Sequence, residues 1–242
     1  RLCFSEPTFT QSRRDLCSDE GHRSARGVGD LAAGYRSTEH HPLAGTGARC
    51  IALPGFIARW ELSTDDASLG GVGKTTTTVN LAAALAGLGE RVLLIDLDPQ
   101  GNATMGSGID KRVLKHSVYD VLVGIAELNA ARTSSAKGGY HVLPANRELA
   151  GAEIELVSIE QREQRLRLAI DTVAHEYDWV LLDCPPSLSL LTINGLVAAQ
   201  AVLIPMQCEY YALEGLSDLV STLKRVRANL NPKLEIGGLV RT

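Results

Sequence analysis

The run Gly70-Gly71-Val72-Gly73-Lys74-Thr75-Thr76 has the composition of an anion cradle. Glycines put no Cβ in the way, so backbone N–H groups can converge on one negative charge. Residues 75–88 read as a helix, whose N-terminus adds partial positive charge at the same place. Lys74 has the length and charge to reach β- and γ-phosphates, and the Thr75 hydroxyl is placed to ligate Mg²⁺. Gly70, Gly71, Val72, Gly73, Lys74, Thr75 and Thr76 are therefore the expected binding residues for ATP with Mg²⁺. The competing reading is a glycine-rich turn that caps a helix. A Gly-Lys-Thr triplet after a glycine cluster is far more specific than a lone GxGxxG.

Two carboxylate sites complete the chemistry. In Val92-Leu93-Leu94-Ile95-Asp96-Leu97-Asp98-Pro99, Asp96 and Asp98 share one strand face by period two. Asp98 lies further out, just before Pro99 ends the strand, where it can orient a water or approach a metal. In Trp179-Val180-Leu181-Leu182-Asp183, four apolar residues precede an acid. This is the Walker-B pattern, and Asp183 joins Thr75 as the expected Mg²⁺ ligand. Pro185-Pro186 then stiffens a loop suited to sensing the γ-phosphate.

Such groups need strands that end at one edge of a sheet, and the rest of the sequence supplies them. Residues 91–97, 141–143, 179–183, 201–205 and 234–240 read as strands. Helical stretches at 75–88, 148–157, 160–176, 188–199 and 213–230 alternate with them. Several strands are apolar almost throughout, which indicates burial on both faces of a parallel sheet. The expected fold is an α/β P-loop NTPase with a mostly parallel, doubly wound sheet flanked by helices. Carboxylates at carboxyl ends of its strands then lie where such sheets bind ligands.

The chain has 242 residues, 45% hydrophobic and 21% charged, with net charge −4. That balance excludes a global basic field for nucleic acid but leaves local basic patches open. No apolar run approaches the roughly 18 residues that span a bilayer. The five cysteines have no CxxC spacing, so neither a disulfide framework nor a zinc site is expected. Composition breaks near Ser68: the segment 1–68 has arginine but no lysine, and its apolar residues are scattered. Within it, residues 50–53 and 56–62 resemble short strands, with Pro54 between them. Residues 1–68 are expected to be poorly structured or foreign to the domain, and 69–242 to form the ATPase domain.

The run Gly70–Thr78 and the segment from Leu93 through Asp98-Pro99-Gln100-Gly101-Asn102-Ala103-Thr104 closely resemble the ParA/Soj chromosome- and plasmid-partitioning ATPases. So do residues 149–156, 183–188 and 207–215, and the resemblance spans Gly70 to Thr242. It implies an ATPase that forms a homodimer on ATP and binds DNA without sequence preference. Hydrolysis would be stimulated by a ParB-type centromere-binding protein, in a cytoplasmic, nucleoid-associated setting with no membrane. By position it implies that Lys74 binds phosphate and acts in catalysis, and that Thr75 ligates Mg²⁺. Asp98 would position the attacking water, Asp183 would be the Walker-B acid, and Asp96 would support them.

The sequence departs from the family in three ways. Leu69 stands where the family has a lysine that crosses the dimer to the partner's phosphates. Thr64-Asp65-Asp66-Ala67-Ser68, just before the loop, is not a sequence that a buried parallel strand tolerates. The family continues beyond the position of Thr242, so the domain is expected to be incomplete at both ends. A MinD-like cell-division ATPase is the alternative on the same scaffold, and would need a membrane-binding amphipathic helix. An iron–sulfur reductase would need cysteines that bridge two subunits, and an inactive remnant is the non-enzymatic alternative. Lys224, Arg225 and Arg227 are a candidate DNA-facing patch or, more simply, cations that complement a helix C-terminus.

Overall fold

Strand β1 is Arg49–Leu53, an uninterrupted apolar run after its first residue, and its last four residues are buried. It lies in the segment expected to be poorly structured; for these residues that expectation is corrected, and the strand-like reading of 50–53 holds. Pro54, the next residue, lies outside the described residues. The computed structural model describes residues 48–53, 73–206 and 212–241. The remaining residues of 1–68, and Leu69 to Val72, lie outside the described residues. All described residues fall within the unit His40–Thr242.

After β1 the order is α1 (Lys74–Gly87), β2 (Val92–Asp96), α2 (Asn102–Gly106), α3 (Val118–Val123) and α4 (Leu128–Ala131). Then come β3 (Thr133–Ser134), β4 (His141–Leu143), α5 (Leu149–Glu155), α6 (Arg165–Val173) and β5 (Trp179–Asp183). The chain continues through α7 (Leu190–Ala198), β6 (Ala201–Met206), α8 (Ala212–Asn229) and β7 (Glu235–Arg241). The sheet runs β3-β4-β2-β5-β1-β6-β7. Every described pairing is parallel except β3 with β4.

Residue alternation divides the sheet into two faces. Cys50, Ala52, Leu93, Ile95, Val180 and Leu182 share one core with α3, α5, α6, α7 and α8. The alternate residues of β2 and β5 turn to the other face, where α1 packs through Leu81, Ala82 and Leu85. Each fully buried leucine contributes about 1.5–3 kcal/mol of transfer free energy. Helix α7 sits close enough that a Cβ on Gly195 would lie 2.9 Å from Cys184 Sγ and 3.1 Å from Leu97 Cδ1. The residue must therefore be glycine for the helix to reach β5. No described helix is long and apolar enough to cross a membrane.

Candidate active site

Asp96 and Asp183 end β2 and β5 as register partners, which brings two carboxylates to the same edge of the sheet. Helix α1 starts above that edge. Gly73, its N-cap, is left-handed at φ 75°, a backbone state that glycine adopts without strain. Lys74 follows as the first helical residue and is buried at 8% exposure. Thr75 donates its hydroxyl to Asp183 Oδ2 at 2.8 Å. Thr78, one turn further on, donates to Asp183 Oδ1 at 3.3 Å and to the Lys74 carbonyl at 2.9 Å. The helix N-terminus is thus fastened to the Asp183 carboxylate by hydroxyls on one face. Thr76 lies on the exposed side of α1.

The two acids differ in what surrounds them. Burial pushes the Asp183 carboxyl up to about 6, against the Thr75 hydroxyl and the Lys74 charge, which favour the ionised form. Burial also pushes Asp96 up to about 7, helped by the charge of Asp183. Asp96 Oδ2 accepts from Thr104 twice, from the backbone N–H at 2.8 Å and from Oγ1 at 2.7 Å. Its Oδ1 accepts from Asp98 N at 3.1 Å. Asp96 is therefore tied to the Asp98 and Thr104 segments through both carboxylate oxygens.

Asp98 sits one pleat further out and is 9% exposed. Its Oδ1 accepts from Gln100 N at 2.8 Å and its carbonyl from Gly101 N at 2.8 Å, which closes a tight turn. Its charge is felt at Asp183. Lys74, Thr75, Asp98 and Asp183 are thus brought to one edge, whereas Gly70, Gly71 and Val72 lie outside the described residues.

Sequence reading missed Thr78 and Thr104. The signal for Thr78 was its place three residues after Thr75, which puts it on the same helical face. Thr104 carried no comparable pattern, because its hydroxyl both donates to Asp96 and accepts from Ala145 N at 2.9 Å, across three separate segments.

Hydroxyl and carboxylate oxygens are hard donors suited to Mg²⁺. Among the described residues there is no cluster of three or more His, Cys, Asp or Glu side chains able to hold a metal alone. The free cysteines Cys50 and Cys184 are buried, and burial holds both thiols well above their usual range.

The mostly parallel sheet flanked by helices is a P-loop NTPase fold. Residues 67–236 match the family model described as an AAA domain. Over 173 residues the chain is 54% identical to the sporulation initiation inhibitor protein Soj of Bacillus subtilis, covering 72% of this chain and 68% of that protein. It is 51% identical over 175 residues to the chromosome partitioning protein ParA of Caulobacter vibrioides, covering 72% and 66%. Among solved structures, cobyrinic acid a,c-diamide synthase from Mycobacterium smegmatis, with a bound ATP analog and magnesium, superposes with a TM-score of 0.72 at 40% identity. That match covers 80% of this chain and 74% of the other. The chain belongs to the ParA/Soj-type family. It spans about two thirds of the length of the curated relatives it matches, 66% for the first of them.

Proposed function

We propose that this chain binds MgATP at the α1 edge and hydrolyses it as a dimeric, ATP-dependent switch on DNA in chromosome or plasmid segregation. The observation that carries the reading is the bond from Thr75 to Asp183, 2.8 Å long, beside the buried Lys74. A relative named for chromosome partitioning, ParA of Caulobacter vibrioides at 51% identity, supports the biological role. A ParB-type stimulating protein, non-specific DNA and a cytoplasmic, nucleoid-associated setting belong to the same proposal. The ATPase domain is proposed to take in β1 as well as residues 69–242.

Each residue then has a task. Lys74 neutralises the β- and γ-phosphates where negative charge gathers. Thr75 and Asp183 would hold Mg²⁺, which supplies charge neutralisation of the phosphate oxygens when bound. The Asp98 carboxylate accepts a hydrogen bond from a water and aims its oxygen at the γ-phosphorus. Attack breaks the bond from the γ-phosphorus to the bridging oxygen and releases ADP and phosphate. Burial of the edge strengthens each of these charge interactions relative to water.

The test is titration of the full chain with a fluorescent ATP analogue, with and without Mg²⁺, followed by phosphate release in the presence of DNA. Saturable, Mg²⁺-dependent binding that Lys74→Ala removes is the expected result. Binding indifferent to Lys74 overturns the reading and leaves the glycine run as a helix cap.

A further inference from the structure

We propose that Lys111 is a positioning residue for Asp98, holding the turn that carries it; this deepens the reading of Asp98 given above and rests on it. The inner side of the turn is already braced. Asp98 N donates to Asp96 Oδ1 at 3.1 Å, Asp96 is locked to Thr104 Oγ1 at 2.7 Å, and Ala145 N donates to that hydroxyl at 2.9 Å. These bonds fix where the turn leaves β2 and where α2 begins. They do not reach its outer arc at Gln100.

Lys111 does. It arrives from the loop after α2, and its Nζ donates to the Gln100 carbonyl. That carbonyl belongs to the same peptide unit as the Gly101 N–H, which donates to the Asp98 carbonyl at 2.8 Å. A cation on the oxygen of a peptide polarises its N–H, so the two bonds strengthen one another. The stem of the lysine is engaged as well. An ideal Cβ on Gly101 would lie 2.9 Å from Lys111 Cδ and 2.8 Å from the Ala145 carbonyl, so the aliphatic chain lies over the bare Cα. Gly101 is left-handed at φ 62°, and both the backbone state and the close approach require glycine.

A surface lysine usually leaves its ammonium in water. Here head and stem both contact one four-residue turn, and the peptide they fix bonds to the Asp98 carbonyl, next to the Gln100 N–H that holds the carboxylate. If that peptide rotates, the Gly101 bond to Asp98 is lost and the carboxylate held by Gln100 N loses its frame. Lys111 acts through Asp98 and is assigned no contact with the reacting atoms.

The experiment compares the parent chain with Lys111→Met, which keeps the stem and removes the ammonium, and with Lys111→Arg, which restores a cationic donor. Amide hydrogen exchange at Gly101 is the primary readout, because it does not depend on turnover. Lys111→Met should speed that exchange about tenfold, the scale of losing one hydrogen bond to a charged group, while Lys111→Arg recovers most of the protection. Amides of Leu93 to Ile95 in β2 should be unaffected. In single-turnover assays Lys111→Met should slow hydrolysis about tenfold with affinity for a fluorescent ATP analogue unchanged. Unaltered exchange at Gly101 overturns the proposal, and so does faster exchange spread through β2. A parallel Asp98→Ala measurement separates the two readings. If Asp98→Ala hydrolyses like the parent, the role of Asp98 fails, and exchange at Gly101 alone decides whether Lys111 holds the turn.

Discussion

Asp96 and Asp183 stand opposite each other at the ends of adjacent parallel strands, yet only one of them faces the helix N-terminus. Asp183 receives the hydroxyls of Thr75 and Thr78, while Asp96 is enclosed by Thr104 and the Asp98 amide. Register makes them partners; the segments above them give them different work.

That difference predicts opposite outcomes for two isosteric changes. Asp183→Asn should abolish the dependence of nucleotide binding on Mg²⁺, because a neutral amide is a poor ligand for a hard cation. Asp96→Asn should leave that dependence in place and lower stability by about 1–3 kcal/mol, since its NH₂ cannot accept from Thr104. Analogue titration over a Mg²⁺ series and urea unfolding check the pair.

Lys74→Ala should weaken binding of a fluorescent ATP analogue by about 10- to 100-fold, the scale of losing charge-assisted hydrogen bonds to phosphate. Its far-ultraviolet circular dichroism should match the parent. Loss of helical signal would mean that Lys74 is needed for folding and not for the ligand.

Asp98→Ala should keep nucleotide affinity and slow hydrolysis by about 10²- to 10⁴-fold, the range for a group that orients or deprotonates a water. Phosphate release at saturating ATP, with DNA present, measures it. A parallel fall in affinity would assign Asp98 to ground-state binding instead.

Gly195→Ala should destabilise the chain by about 1–3 kcal/mol, because the new methyl meets Cys184 Sγ and Leu97 Cδ1 and the core must overpack. Adding Cys184→Ala makes room, so the double variant should be more stable than the sum of the two single losses. Urea midpoints of the three variants and the parent complete the cycle.

The parallel sheet was legible in the sequence because its strands are buried on both faces and read as unbroken apolar runs. Leu93-Leu94-Ile95 and Val180-Leu181-Leu182 announce themselves in that way. Lys74, Thr75, Asp98 and Asp183 were legible because each stands at the junction of such a run, or of a glycine cluster, with a turn. The run 50–53 was legible as strand-like but not as a strand of the central sheet, because its partners β5 and β6 come far later in the chain. The short helices α2, α3 and α4 are too brief for periodicity to mark. Helix α6 begins at Arg165 and not at Glu160, because Gln161 is left-handed at φ 54° and the Arg162 carbonyl is taken by Asn194 at 2.8 Å. The second cause is a tertiary contact that no local pattern carries.

Strand β1 pairs with β5 on one side and β6 on the other, and both partners come far later in the chain. On a ribosome that elongates at about 5–20 residues per second, β1 waits on the order of ten seconds for β5 to emerge. Through that interval Cys50-Ile51-Ala52-Leu53 presents two bare edges and no charge, the profile of a segment that recruits other chains. Among the described strands, the one made first is thus a keystone, seated between two partners made much later.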